Sequence, residues 1–213
     1  MLAKRLHENK IKRALVTPFR PLVKALSPTL YVKLQYKYIT HHKLNLKKPV
    51  RYTEKLQYLR LYVYPKDPLV LKAAGRVGAR AYVTSCGLEQ YLIPCLGIYD
   101  RFEDIDFSKL PKSFVMKCSH ASGFNQIVLD KDTLDIEASR QKFTKWLKTN
   151  YGKKTVEFHY SHIKPQIIIE QYIGENGKLP TEYKIHCFND TARNLYVVTG
   201  RGIDIRYNQY YVD

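Results

Sequence analysis

Residues 114–125 read FVMKCSHASGFN, Phe114 to Asn125, and run into Gln126-Ile-Val-Leu129. Ser113 to Ser119 and Gln126 to Leu129 have the β-branched and aromatic character of strands, and the polar HASGFN between them makes a short connecting loop. Lys117 lies inside this apolar run. An unpaired ammonium away from water is costly, so Lys117 needs an anion, and a phosphate is a natural counter-charge. The loop that follows is small and polar, with Ser119, Ser122 and Gly123, and its backbone N–H groups can close over phosphate oxygens. A lysine at a strand end beside an ordinary turn is the blander explanation of the same residues. The pattern GxxxxGK[ST] is absent, so this is not a Walker loop.

Downstream, Asp135 to Asn150 reads as a helix with Ile136, Phe143 and Leu147 inward and Lys142, Lys145 and Lys148 outward. Gln166 to Ile173 is a strongly apolar strand, and Glu182 to Phe188 with Asn194 to Thr199 reads as a hairpin around Asn189-Asp190. Glu170 follows three isoleucines, so it needs a donor if buried, such as Lys117 or an exocyclic amine. A strand that runs into a polar hinge can offer backbone groups to an adenine edge, and a carboxylate a little later can accept from ribose hydroxyls. A surface salt bridge in a sheet accounts for either residue alone.

Upstream, residues 1–48 are the most basic region and hold one acidic residue, Glu8. Leu2, Leu6, Ile11 and Leu15 lie roughly on one helical face among lysines and arginines. Ser27-Pro28 opens a helix to Thr40, a hydroxyl cap followed by proline at the first position, with Leu30, Leu34 and Tyr38 on a stripe. The expectation is that this apolar face packs on the protein's own core; the alternative is contact with an anionic membrane through residues 1–40. Thr53 is expected to cap a helix from Glu54 to Tyr62, Asp67-Pro68 starts another, and Gly87 ends the helical stretch around Arg80 to Ser85. Helices lead and strands follow, which makes the fold class α+β. Three segments result: 1–48 basic, amphipathic and helical; 49–110 helical; 111–213 α+β.

With 213 residues, 45% of them hydrophobic and 26% charged, the chain can bury a real core. Lys plus Arg is 36 against 19 acidic residues, a net charge of +17 that favours anionic partners. The four cysteines, Cys86, Cys95, Cys118 and Cys187, form no CxxC pair. A zinc knot is therefore not expected, and a reducing, cytoplasmic compartment is. No apolar run approaches the ~20 residues of a membrane span. His159 and His162 have i, i+3 spacing without a third ligand nearby and read as structural or solvated, as do His41 and His42. Trp146 reads as a packing residue.

Taken in order, these pieces resemble the TupA-like ATP-grasp family, which is associated with teichuronopeptide and other bacterial surface-polysaccharide biosynthesis and is often labelled glycosyltransferase. The stretches that carry the resemblance are PVRYTEKLQYLRLY (49–62), EQYLIPCLGIYD (89–100), LPKSFVMKCSHASG (110–123), HYSHIKPQIIIEQYI (159–173) and EYKIHCFND (182–190). The resemblance implies ATP and Mg2+ as cofactors. It implies that Lys117 contacts the nucleotide phosphates, under a flexible loop made of Ser119, His120, Ser122 and Gly123. Glu170, Gln171, Tyr172 and Ile173 would line the adenine hinge, Glu182 would meet the ribose, and Lys184 the phosphate side. Ala121 stands where the family usually has glycine, which stiffens the loop. AAGRVGARAYV (73–83) replaces an Asp-Lys-Tyr segment while retaining Arg80, Tyr82 and Val83.

By family chemistry, ATP would phosphorylate a carboxylate and an amine would attack the acyl phosphate. The substrate would then be an acidic saccharide or an amino acid. The family's metal-holding carboxylates lie on strands beyond the matched region, and Asp204 and Asp213 in an irregular tail replace them poorly. This reading expects the C-terminal part of the grasp to be missing, the metal ligands with it, and turnover to be impaired. A nucleotide-sugar glycosyltransferase is the second reading, and it would want a DxD-like metal motif. The one acidic cluster, EDID at Glu103 to Asp106, reads instead as a short surface helix. A non-catalytic basic module is the third; no specific nucleic-acid partner is expected, because it leaves the apolar strands from 113 to 199 unexplained.

Overall fold

The computed structural model describes residues 20–175, 177–201 and 204–211. The stripe at Leu2, Leu6, Ile11 and Leu15, and Asp213, lie outside them. Helices α1 (Arg20–Leu26) and α2 (Pro28–Thr40) come first, the second capped by Ser27, whose hydroxyl accepts from the Leu30 N–H. α2 buries Val32 and Tyr36, not Leu30, Leu34 and Tyr38. The expected inward stripe therefore faces out, because two β-branched and aromatic positions on the other side make the packed seam with Leu44 and Val156.

α3 (Tyr52–Tyr58) continues as one π-helical turn, Leu59–Val63. Its start is held by Glu54, whose carboxylate accepts the backbone N–H groups of Val50 and Arg51, both at 3.0 Å. Thr53 is not the cap; its hydroxyl shares a 2.9 Å hydrogen bond with Tyr36 and ties α2 to α3. Asp67 caps α4 (Pro68–Ala73) by accepting from Leu69 and Val70. α5 (Arg76–Ser85) ends at Gly87, whose φ of 72° takes the left-handed turn that glycine tolerates.

Two antiparallel sheets follow. The first joins β1 (Cys95–Tyr99), β2 (Phe114–Cys118), β3 (Asn125–Val128) and β4 (Ile167–Gln171) in the order β1-β4-β2-β3. Its lower face, with Phe114, Met116, Cys118, Ile167 and Ile169, packs on α6 (Ile136–Leu147). Phe143 is fully buried there, stacked on Phe102 at 6.0 Å and edge-on to Trp146 at 5.0 Å. Trp146 in turn stacks on Phe124 at 5.0 Å. Ile136, expected inward, is exposed at the first turn of α6. A short helix, α7 (Tyr151–Thr155), leads toward β4.

The second sheet is a meander, β5 (Glu182–Phe188), β6 (Thr191–Thr199) and β7 (Arg206–Tyr211). Asn189 and Asp190 turn its hairpin with φ of 49° and 60°, the pair of positive values that matches strand twist. The tail expected to be irregular is a strand, because residues 206–211 complete the ladder on β6. Together the elements make an α+β fold of helices and antiparallel sheets. No helix among the described residues is long and apolar enough to cross a membrane.

Candidate functional site

Alternation along β2 sends Phe114, Met116 and Cys118 into the core and puts Val115 and Lys117 on the upper face. On β4 the residues paired with Lys117 and Val115 are Ile168 and Glu170, so the lysine and the carboxylate share that face. Lys117 Nζ donates to Glu170 Oε2 at 2.5 Å. The other carboxylate oxygen accepts from Arg80 of α5 at 3.1 Å. Glu170 is nearly buried, with 9% of its side chain exposed, while Lys117 and Arg80 keep 23% and 20%. One carboxylate thus lies beneath two cations that still reach solvent. Each cation keeps spare N–H groups after the ion pair is made, and the cluster retains one net positive charge. An anion approaching this face meets donors already positioned.

α5 is docked by its first residue. The Arg76 N–H donates to Ser119 O at 3.1 Å, and its guanidinium donates to the carbonyls of Cys118 and Ala121. Gly75 just before it lets the chain come close, since a Cβ there would lie 2.6 Å from Ile163. Burial pushes the Arg76 guanidinium below the ordinary arginine range, offset in part by Cys118 and Glu170. Arg76 thereby fixes the base of the β2–β3 loop, and Arg80, one turn on, reaches Glu170. Neither arginine was assigned a role from sequence; their partners are distant in the chain, 42 to 90 residues away.

The loop itself divides. Ser119 and His120 are buried: the Ser119 hydroxyl donates to Lys164 O at 2.6 Å and accepts from the Gln166 N–H at 2.9 Å. His120 Nε2 lies 3.2 Å from Trp146 O, and since a carbonyl accepts only, this nitrogen carries the hydrogen. These two side chains serve the interior. Ser122 and Gly123 form the exposed tip, and Gly123 takes a φ of 76° with open space where a side chain would be. The mobile cover expected over phosphates is therefore confined, as far as side chains go, to Ser122 and Gly123.

His120 Nδ1 and His159 Nδ1 are buried without a partner among the described residues, and burial holds both imidazoles below their ordinary pKa. A depressed folded value means the unfolded chain takes up protons first. Stability from these groups is full above about pH 6.5, the ordinary imidazole value, and is lost as pH falls through the lower folded values. Thermal midpoints are expected to be flat at higher pH and to decline below about 6.5, before carboxylates titrate. A midpoint that rises on mild acidification contradicts this. Cys118, in contrast, has its thiol pushed up to about 12 by burial and is inert.

The hinge residues continue from β4. The Gln171 N–H donates to Pro94 O at 3.0 Å, the Tyr172 hydroxyl donates to Lys178 O at 3.0 Å, and Ile173 is exposed. A shallow depression of about 500 Å³ flanks them, lined by Leu96, Leu110, Pro111, Gln171 and Tyr172 among others. Gln171 pairs with Phe114, so this depression borders the core side of the sheet, while Lys117 and Glu170 stand on the other face. Glu182 and Lys184 are on β5, in the second sheet. Glu182 is held by Arg201, with one contact at 3.0 Å, and Lys184 Nζ lies 3.7 Å away.

For a nucleotide the donor set fits: two partly exposed cations, a glycine loop tip and a strand-end hinge share one sheet. For magnesium it does not. Among the described residues no three of His, Cys, Asp and Glu converge, and both oxygens of Glu170 are engaged. The EDID carboxylates are used locally, Asp104 by Arg101 at 2.7 Å and Asp106 by Ser108 and Lys109.

A family model described as TupA-like ATPgrasp matches residues 54–213. Searches among curated proteins and among solved structures return no match. The match spans the Lys117–Glu170–Arg80 cluster, its loop and its hinge, and well over half of the chain: the protein belongs to the TupA-like ATP-grasp family.

Proposed function

We propose that the chain binds ATP on the upper face of its four-stranded sheet, as the ATP-dependent part of a ligase-like protein of bacterial surface-polysaccharide synthesis. The observation that carries this reading is the pair of solvent-reaching cations, Lys117 and Arg80, set over one buried carboxylate. Bound there, ATP supplies a transferable phosphoryl group for activating the carboxylate of an acidic saccharide or amino acid.

The chain's own residues bind and orient. Lys117 and Arg80 turn spare N–H groups to phosphate oxygens, Glu170 keeps both cations in place, and Arg76 holds the loop base. Gly123 lets the loop tip approach, and Tyr172 and Ile173, just past the end of β4, offer main-chain groups to the base. Among the described residues the glycosyltransferase reading has no acidic motif to support it, since the EDID carboxylates are engaged locally.

Calorimetric titration of the full chain with ATP and with ADP, with and without magnesium, tests the proposal. A saturable heat with at least one nucleotide is expected. Absence of heat under every condition, with the protein folded by circular dichroism, overturns it.

A further inference from the structure

Among the described residues, nothing packs on one apolar face of α2. At about 100° per residue, Leu34 of α2 falls opposite the midpoint of the buried Val32 and Tyr36, with Leu30 and Tyr38 one turn to either side. Leu30, Leu34 and Tyr38 are 48%, 52% and 51% exposed, an outward stripe the length of the helix. Leu22 and Leu26 of α1 are exposed as well.

Along the chain, the charge flanking this stripe has one sign. From Arg20 to Arg51 the sequence has Arg20, Lys24, Lys33, Lys37 and further lysines and no Asp or Glu. Lys33 and Lys37 border the stripe on one flank, both exposed, and among the described residues neither has a carboxylate within salt-bridge range. Lys24 is occupied, donating to Lys154 O at 2.6 Å and lying 5.4 Å over the Tyr31 ring. A protein partner would be expected to meet mixed charge. Unopposed lysines beside leucines and an outward tyrosine suit a surface that is apolar just below a layer of negative charge.

We propose that α2, through Leu30, Leu34 and Tyr38 with Lys33 and Lys37, docks the protein on an anionic lipid surface. The leucines enter the acyl boundary, the Tyr38 ring sits at headgroup level, and the lysines reach lipid phosphates. The helix lies flat, since its opposite side stays packed against the body through Val32 and Tyr36. Docking of this kind is independent of nucleotide binding.

Co-sedimentation of the full chain with vesicles tests it, comparing phosphatidylcholine alone with phosphatidylcholine plus phosphatidylglycerol. Pelleting is expected with the anionic vesicles, falling as salt screens the lysines. Leu30→Gln with Leu34→Gln should lower the partition coefficient about tenfold, since two half-exposed leucines lose their transfer into lipid. Both positions face solvent, so the thermal midpoint should hold, which separates lost docking from lost folding. Lys33→Glu with Lys37→Glu should abolish the preference for anionic over neutral vesicles. Unchanged pelleting of the leucine variant overturns the proposal. So does a concentration-dependent dimer that the leucine variant abolishes without any vesicle binding by the parent chain, which would assign the stripe to a second copy.

Discussion

Lys117→Ala is expected to weaken ATP binding by about 1.5–3 kcal/mol, roughly ten- to a hundredfold, the range for losing a charge-assisted hydrogen bond. The structure also says what the substitution should leave intact. Glu170 loses the lysine at 2.5 Å but keeps Arg80 at 3.1 Å, so no buried carboxylate is left without a cation. The fold should therefore survive with a small change in thermal midpoint while affinity collapses. Glu170→Ala should behave differently. It brings two cations together with nothing between them, so stability should fall along with affinity. Calorimetry and thermal melts on both variants separate the two roles. Equal ATP affinity in Lys117→Ala and the parent chain would make the lysine a structural partner of Glu170 and nothing more.

Much of this site could be read from residue order, for a local reason. The sequence offers Lys117 a phosphate and Glu170 either Lys117 or an exocyclic amine; the structure pairs the two side chains, because a charge on an apolar strand demands a partner. The hairpin at Asn189-Asp190 was equally legible, since those two residues tolerate the positive φ the turn imposes. What sequence did not reveal depends on contacts distant in the chain. Arg76 and Arg80 lie on a helix with no local sign of function, and only the docking of α5 on the β2–β3 loop gives them partners. α2 offers two apolar faces, Leu30, Leu34 and Tyr38 or Val32 and Tyr36, and periodicity alone does not say which one meets the core. β1 and β7 escaped for lack of a clean alternation. β1 is five residues long, bulged between Cys95 and Gly97, and β7 is exposed at every position. Ser119 and His120 resemble loop residues by type, yet tertiary hydrogen bonds bury them.

Phe143→Ala should cost about 3–5 kcal/mol of unfolding free energy, as large aromatic truncations in cores do. Phe143 has no exposed surface, and its ring touches the rings of Phe102 and Trp146 beneath the strand that carries Lys117. A domain of ordinary stability has about 5–15 kcal/mol in hand, so this one change removes a large share of it. Phe143→Leu keeps most of the volume and should lose less, about 1.5 kcal/mol or under if the core repacks. Urea unfolding followed by Trp146 fluorescence reads both, since the only tryptophan sits in the affected cluster. The consequence for function follows from geometry. α6 supports the lower face of β2, and alternation places Lys117 directly above that support. A cavity under the strand lets β2 settle, which displaces the Lys117 ammonium from Glu170 and from any phosphate it holds. Nucleotide affinity should therefore fall in Phe143→Ala even at temperatures where the protein remains folded. Should that variant lose less than about 1 kcal/mol, the aromatic cluster would not be the support that the upper face depends on.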